Sequence, residues 1–397
     1  MLSPALPSIQ EEFGIGSNAV ASMIMSTFVL ASVVGPIVYA PLSETYGRKH
    51  ILQISHVAYI VFSIGCGLSK GTKQMIIFRF LCGLASAAPV AIGGGAVADM
   101  YAPAHRGLPM CLYMMPTAIG PCIGLAVGGW VIEGFGPRKW RWIIWIFTVF
   151  VGVIAAVGAA LLPETYRPVI LRRHVKALRA KTGNPNLHTI YDEDMPGPQQ
   201  TQDILLRPLL FLFTQPVVLV PSLYLALVHG CQYILLTTLP DVFKRTYEET
   251  PGLASLHYIP VTLGFIVATA LSDPLAKRMD ESQRSRTGGV AQPEHRLCML
   301  AVSGITIPIG MLVYGWTAQY RVHWIASDCG LFIVGFGFRG VLVVIPLYLA
   351  DAMSTYAASA ISASVSMRSL AGFSFPLFAE KLYFELGQGW GNTVLAL

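Results

Sequence analysis

A short polar stretch lies between two long apolar blocks near the start of the sequence: Pro41-Leu42-Ser43-Glu44-Thr45-Tyr46-Gly47-Arg48-Lys49. It places an acid where one helix ends, a glycine that lets the chain turn, and two bases where the next helix begins. Short basic loops of this kind collect on the cytoplasmic side of membrane proteins. We therefore expect these charges to pair across neighbouring helices and to separate when the helices move.

The composition places this stretch in a membrane protein. Of the 397 residues, 54% are hydrophobic and only 12% are charged, which is about half the charged share of an ordinary soluble domain. The apolar residues form blocks of about 20, the length that a helix needs to cross the hydrocarbon core. The net charge of +6 is spread over short segments between the blocks. An all-α protein in a lipid bilayer is predicted, with no nucleic-acid partner.

Several kinds of active site are not indicated by the sequence. The seven cysteines show no CxxC pair and no metal-ligand spacing. The P-loop of ATP-driven pumps and the HExxH motif of metal-dependent hydrolases do not occur. We expect no metal, no cofactor and no enzymatic activity, although a membrane-embedded enzyme is weighed as an alternative class.

Apolar blocks between polar breaks predict ten spanning helices, near residues 19–42, 51–69, 74–98, 108–132, 141–162, 208–236, 255–273, 297–316, 324–350 and 354–378. Residues 2–7 resemble the tail of an earlier helix, and 391–397 the first turns of a later one. Numbered 1 to 12 with these fragments, the helices include an incomplete helix 1 and an incomplete helix 12 in this chain.

The polar stretch 163–207 divides the predicted spans evenly. It predicts an N-terminal helical half (1–162), a cytoplasmic linker (163–207) and a C-terminal helical half (208–397). Its basic part, 167–181, is predicted to form an amphipathic helix at the membrane surface. Residues 271–278 repeat the acid and bases of 42–49 in the same order, as expected for parallel halves that enclose a midplane site.

Three bases lie inside apolar blocks: Arg79, Arg339 and Arg368. Charges inside spanning helices are costly, so function is the default interpretation. Arg79 and Arg339 are candidates for proton coupling. For Arg339 the alternative is a snorkelling or cavity-facing arginine without function. Asp99 and Asp351 complete these candidates, near predicted cytoplasmic helix ends where a carboxylate can be solvated.

Small residues recur at helical spacing in two predicted helices. Arg79, Gly83 and Ala87 share one face of helix 4, where the small residues allow close packing. Helix 5 carries a similar stripe, made of Gly120, Pro121, Gly124, Gly128 and Gly129. We expect packing surfaces first, and the functional alternative is that close packing on helix 5 keeps a cavity watertight.

Aromatic and histidine side chains of helices 7 and 8 supply the cavity candidates. Tyr224, His229 and Tyr233 are placed where they could contact a substrate. The alternative is that the tyrosines pack and that His229 and His257 are hydrogen-bonded helix histidines.

On these motifs the sequence resembles the major facilitator superfamily, and within it the fungal twelve-helix drug:proton antiporters, the polyamine and multidrug exporter group. The loop with Glu44, Gly47, Arg48 and Lys49 resembles the gating motif after helix 2. The run 79–83 resembles the helix 4 motif implicated in proton coupling, and the glycines of helix 5 resemble the antiporter motif. Two positions depart from the pattern: Thr45 stands where many members carry a base, and Arg339 where an apolar or small residue is expected.

The resemblance implies a major facilitator fold of two six-helix halves. It implies proton-coupled efflux of a small organic molecule (a drug, toxin, secondary metabolite or polyamine) by alternating access. The expected partners are this substrate and protons, and the expected form is a monomer in the plasma membrane of a fungal cell, with both ends cytoplasmic. Uptake, or a truncated relative that binds a ligand or regulates without transporting, remain the alternatives.

Overall fold

The computed structural model describes residues 5–101, 107–136, 139–184, 186–189, 210–286, 297–353 and 357–397, and within these residues it contains helices and connecting turns without a strand. The helices are α1 (Leu6–Phe13), α2 (Asn18–Tyr46), α3 (Arg48–Leu68), α4 (Thr72–Met100), α5 (Gly107–Phe135), α6 (Arg141–Leu161), α7 (Arg167–Thr182), α8 (Pro216–Thr246), α9 (Pro251–Leu256), α10 (Tyr258–Arg286), α11 (Cys298–Gln319), α12 (Trp324–Ala352) and α13 (Ala357–Ala396).

Eight helical segments of the described chain are long and apolar enough to cross a membrane. Their outward faces carry large apolar side chains, as expected where lipid is the solvent. On α6, for example, Val149, Phe150 and Val153 are each more than half exposed. The predicted all-α membrane architecture is confirmed.

Near the predicted start of the seventh helix, at residue 208, the structure describes a short helical stretch, residues 210–214, which is interrupted at Gln215. The structure begins α8 at Pro216, because proline lacks the N–H that a first helical turn leaves unpaired. The helix also continues well past the predicted end at residue 236. The hydroxyls of Thr237 and Thr238 donate to carbonyls one turn back, so these polar residues fit inside a helix.

The last predicted helix, 354–378, ends too early for a similar reason. The structure continues α13 as far as Gly387, whose φ of 73° and ψ of 176° interrupt the helix. Only glycine adopts this backbone conformation at low cost. The next helical stretch therefore begins directly after Gly387 rather than near residue 391.

Two large clusters of buried apolar residues form the interior of the bundle. One is built from residues between 5 and 144. The other contains Leu125 and otherwise residues between 212 and 363. The helix α7 lies between these two parts of the chain, where the sequence predicts an amphipathic helix. The acidic and proline-rich residues 192–198 lie outside the described residues.

Small residues let α2 and α4 approach closely. A Cβ added at Gly83 would overlap the Phe28 carbonyl oxygen, and one added at Gly35 would overlap the Ala87 side chain. The face of α4 that carries Gly83 and Ala87 therefore packs on α2, as the spacing predicts.

The alternating direction of the helices gives the bundle two ends. The Arg48 end is formed by the end of α2 and the start of α3, and Asp99 and Glu164 meet there. The Glu133 end is formed by the end of α5 and the start of α9.

Candidate functional site

Arg48 is the centre of a charge network at the Arg48 end. Its Nε lies 2.5 Å from Asp99 Oδ2 of α4, and its Nη1 lies 3.5 Å from Ser43 Oγ. Both side chains of the ion pair are largely shielded, with 11% and 20% of their surface exposed. Partial burial strengthens such a pair relative to one in water. The pair ties the start of α3 to the end of α4.

Glu164 joins the same network from the segment after α6. Its carboxylate accepts hydrogen bonds from the backbone N–H of Arg48, at 2.9 Å, and of Lys49, at 3.3 Å. These are unpaired amides of the first turn of α3, which favour an anion. Gly47 makes the approach possible, because its φ is +99° and a Cβ there would overlap Glu164.

Two further groups surround the Arg48 guanidinium. Its central carbon lies 5.1 Å from the centroid of the Tyr166 ring, within the range of a cation–π contact. Burial raises the pKa of the Tyr166 phenol, so the ring stays neutral. A Cβ added at Gly95 would lie 2.6 Å from Arg48 Nη1. The glycine of α4 therefore leaves the space that the guanidinium occupies.

Glu44 and Lys49 are more loosely placed. Glu44 is exposed at the end of α2 and interacts with Arg48 and Asp99 through longer-range electrostatics. Lys49 joins the network through its backbone N–H, which donates to Glu164. The structure thus brings Gly47, Arg48 and Asp99 together and leaves Glu44 at the rim.

Arg79 lies on the packed face of α4, nearer the Glu133 end. Its Nε donates to the Ile24 carbonyl at 3.3 Å, and its guanidinium carbon lies 5.0 Å from the Phe28 ring centroid. Both partners belong to α2. A backbone carbonyl and an aromatic face stabilise the charge without neutralising it. A role in proton coupling remains a prediction.

Arg339 is buried in the middle of α12, with 6% of its surface exposed. Its Nε donates to Thr269 Oγ1 of α10 at 2.9 Å, and it makes further interactions. It therefore has partners inside the bundle and does not snorkel. Asp351 is exposed at the end of α12 and also interacts with neighbours. The roles of Arg339 and Asp351 in proton coupling stay predictions.

The glycines of the α5 stripe differ in how closely other helices pack against them. A Cβ at Gly129 would overlap Ser255 Oγ of α9, and Gly124 and Gly128 are buried. An added Cβ at Gly120 meets nothing within 4 Å, which differs from the expectation of one continuous packing surface. The side chain of Pro121 lies outside the described residues.

Glu133 extends the contact between α5 and α9. Its Oε2 accepts a hydrogen bond from the Gly252 N–H at 2.8 Å and one from Thr250 Oγ1 at 3.1 Å. A carboxylate from the N-terminal half predicted by the sequence thus binds the start of α9, which belongs to the predicted C-terminal half. Hydrogen bonds to a charged acceptor are strong yet reversible.

The three cavity candidates do not form one group. The rings of His229 and Tyr233 are in contact at a tilted angle of 59°, with their centroids 4.9 Å apart. Tyr224 instead faces α11, where a Cβ added at Gly304 would lie 3.9 Å from its hydroxyl. A Cβ at Gly372 of α13 would lie 3.2 Å from the His229 ring, and equally close to Val29 of α2. His229 and Tyr233 therefore lie where α2, α8 and α13 meet.

The two histidines differ in their hydrogen bonds. His257 places Nδ1 2.7 Å from Asp328 and Nε2 3.0 Å from Glu249, so the expectation of a hydrogen-bonded histidine is confirmed there. His229 Nδ1 is buried without a hydrogen-bond partner among the described residues. Its ring also interacts with the Gln232 side chain, so the same expectation for His229 stays a prediction.

Sequence reasoning missed two residues of this structure. The sequence assigned no role to Glu164, because a carboxylate more than 100 residues from Arg48 gives no local signal that it will cap α3. Arg368 was counted among the bases in apolar blocks and given no role. Its Nε is buried, and it forms no hydrogen bond or ion pair with the described residues. Its position deep inside an apolar block was the signal that could have identified Arg368 as a candidate site residue.

Long apolar helices, two interior clusters and polar groups between them define a multi-pass membrane transport protein. The chain belongs to the Major Facilitator Superfamily, whose sequence profile matches residues 1–376; this is a family of transporters rather than enzymes.

Curated relatives and solved structures agree with this family. The chain is 39% identical over 398 residues to the MFS transporter prlG of Fungal sp. (strain NRRL 50135), covering 100% of this chain and 83% of the relative. It is 36% identical over 400 residues to the efflux pump radE of Floropilus chiversii, covering 100% and 73%. The inward-open xylose transporter XylE of E. coli superposes with a TM-score of 0.68 at 15% identity, covering 100% of this chain and 90% of that one. The major facilitator fold is confirmed.

Proposed function

We propose that this transporter exports a small organic molecule in exchange for protons, by alternating access of two halves. The halves are residues 1–162 and 208–397, joined by a cytoplasmic linker, 163–207. The two interior clusters support this division, because apart from Leu125 each cluster is built from residues of one half. Halves with their own cores can rock as rigid bodies around a central site.

The observation that carries the proposal is the contact of Glu133 with Thr250 and Gly252. It joins the two halves at the Glu133 end through hydrogen bonds that can break and re-form. A contact at one end leaves the other end free to open. We take the Glu133 end to face outward and the Arg48 end to face the cytoplasm, with both termini cytoplasmic.

At the Arg48 end, Glu44, Gly47, Arg48 and Lys49 act as the gating motif, and Asp99 and Glu164 are its partners. Arg79, Asp99, Arg339 and Asp351 are the candidates for proton coupling. The direction of transport is supported by a relative whose name describes an efflux pump. The protein works as a monomer in the plasma membrane, and its substrate is a drug, toxin, secondary metabolite or polyamine.

Growth and vesicle assays together test this proposal. The chain is expressed in a yeast strain lacking its own exporters, and a panel of acidic, neutral and cationic growth inhibitors identifies a compound to which it confers resistance. Plasma-membrane vesicles with an imposed pH gradient then report that compound's transport and the dissipation of the gradient. We expect transport that stops when a protonophore collapses the gradient.

Three outcomes contradict the proposal in different ways. Greater sensitivity to the compound, with faster cellular accumulation, indicates uptake. Transport that survives the protonophore contradicts proton coupling. Equilibrium binding without transport, in well-folded protein, indicates a relative that binds without carrying.

A further inference from the structure

Arg368 lies at the centre of the bundle, on the boundary between the proposed halves. It occupies the middle of α13, four residues before Gly372, so the two share a helix face. At Gly372 that face meets His229 and Tyr233 of α8 and Val29 of α2. The guanidinium also interacts electrostatically with Tyr233 and His229. Both halves therefore contribute to the surroundings of Arg368.

The guanidinium lacks a counter-charge. No described carboxylate forms an ion pair with Arg368, and its Nε is buried without a hydrogen-bond partner. The other two intramembrane arginines are held by protein atoms, Arg79 by a carbonyl and Arg339 by a hydroxyl. A buried charge without a partner is costly, and it is retained where function uses it.

Further polar atoms on α8 lack partners in this region. His229 Nδ1 and Gln232 Oε1 are buried without hydrogen bonds among the described residues. Buried polar groups are normally paired, so unpaired groups on adjacent turns beside an unpaired cation indicate a surface that completes its hydrogen bonds with a ligand. The ligand must supply negative charge to Arg368 and a flat apolar part to lie against Tyr233.

We propose that Arg368 binds an acidic oxygen group of the transported molecule, a carboxylate or an ionised phenol or enol. The planar guanidinium offers paired donors that match a carboxylate in two hydrogen bonds. The inference rests on the proposed function and narrows it to organic acids, because an ammonium group such as that of a polyamine would be repelled by Arg368. Tyr233 and His229 provide the aromatic wall of this site.

Equilibrium binding tests this inference independently of transport. Purified full-length protein in detergent is titrated with naphthalene-1-carboxylate, its neutral methyl ester and 1-naphthylmethylammonium, and the rise in unfolding temperature is measured. We expect the carboxylate to bind the wild-type protein most tightly. In Arg368→Gln its affinity should fall about 10- to 100-fold, as expected when a charge-assisted hydrogen bond is removed, while affinity for the ester should stay unchanged.

Two more variants keep the result interpretable. Arg368→Lys retains the charge without the planar pair of donors, so it should bind the carboxylate at an intermediate affinity. Lys381→Gln removes one positive charge from an exposed site on the same helix and should bind like the wild type. Without a ligand, Arg368→Gln should be at least as stable as wild type, because it removes an unpaired buried cation.

The inference is overturned if folded Arg368→Gln keeps wild-type affinity for the carboxylate. It is equally overturned if the wild-type protein does not bind the carboxylate, or prefers the ammonium probe. If carboxylate binding depends on Arg368 but the protein shows no proton-dependent flux, the proposal of proton-coupled export is contradicted. The inference that Arg368 binds an acidic group is then still supported.

Discussion

Arg48 combines three kinds of contact in one side chain: an ion pair with Asp99, an aromatic face from Tyr166 and a cleared space at Gly95. Asp99 and Gly95 belong to α4, and Tyr166 belongs to the segment after α6. A guanidinium held this way has one favoured position, so movement of α3 relative to α4 must break the ion pair with Asp99 and withdraw the guanidinium from the space at Gly95 together. Cooperative loss of contacts is what gives a gate two discrete states.

The pairing of Arg48 with Asp99 can be measured by a double-mutant cycle. Arg48→Ala and Asp99→Ala should each reduce efflux, and the double variant should lose less than the sum of the two. Contacting charges typically couple by about 0.5–3 kcal/mol. Initial rates of efflux of the compound found in the resistance screen give the coupling energy, at matched protein levels.

Lys176→Ala is the control for this cycle, because it removes an exposed positive charge from α7. It should leave the rate near that of wild type. Additive losses in the cycle, or wild-type efflux in both single variants, would show that the pair has no role in the transport cycle.

At the residue scale, the sequence predicts that charges gather at the Arg48 end but does not identify all their partners. Gly47 and Arg48 are recognisable because the turn and the bases are adjacent in the chain. Glu164 and Asp99 approach Arg48 only through the packing of α4 and of the segment after α6. Arg368 shows the same limit. The sequence shows that Arg368 lies deep inside an apolar block, but it does not show which helices pack against the face that Arg368 shares with Gly372.

Among the elements, the helices themselves were predictable and their ends less so. Long apolar blocks predicted the spanning segments, because the bilayer fixes their length. The boundaries of α8 were missed because polar residues such as Thr237 satisfy themselves by bonding back to the helix. Gly387 was missed because its conformation, rather than any loss of hydrophobicity, separates two helical stretches.

The packing of α5 on α9 gives a prediction for one element pair. Gly129→Leu would force a branched side chain against Ser255 and the Pro251 carbonyl. Overpacking of this kind costs about 1–3 kcal/mol, so the unfolding temperature should fall and efflux should decrease. Gly134→Leu is the matched control on the same helix, because an added Cβ there meets nothing within 4 Å. Equal unfolding temperatures for the two variants would contradict the packing argument.

A second element pair, α1 with α6, should respond to pH. Glu12 accepts hydrogen bonds from Arg141, at 2.6 Å, and from Trp140, at 2.7 Å. Burial opposes ionisation, but these bonds outweigh it and hold the pKa of the Glu12 carboxyl below its ordinary value of 4.5. A depressed pKa means that the contact stabilises the protein above about pH 4.5 and that this contribution is lost as pH falls through the folded-state pKa.

The measurement compares unfolding temperatures of wild type and Glu12→Gln between pH 7 and pH 3.5. Other carboxylates titrate in both proteins, so only the difference between them reports on Glu12. The difference should be largest at pH 7 and shrink toward zero in acid. A difference that is constant across this range would show that the charge of Glu12 has no part in the contact.

Across the whole molecule, two kinds of contact join the proposed halves. Near the middle, Ser366 Oγ of α13 donates to the Val33 carbonyl of α2 at 2.8 Å. At the Glu133 end, a carboxylate binds the start of α9. The first contact lies close to the level of Arg368 and can act as a pivot. The second lies far from that level, so a small rotation about the pivot would separate it.

Linking the halves at the Glu133 end tests this arrangement. In a background without the native cysteines, Glu133→Cys is combined with Thr250→Cys, whose parent side chains lie 3.1 Å apart, and the thiols are joined by a short bifunctional methanethiosulfonate. If the Glu133 end must open in each cycle, the link should reduce efflux to background, and a reducing agent should restore it. Glu12→Cys with Arg141→Cys is the matched control, because its link joins α1 to α6 at the same end but within one half. Efflux should survive that link, and full efflux from protein whose halves are completely linked would exclude alternating access at the Glu133 end.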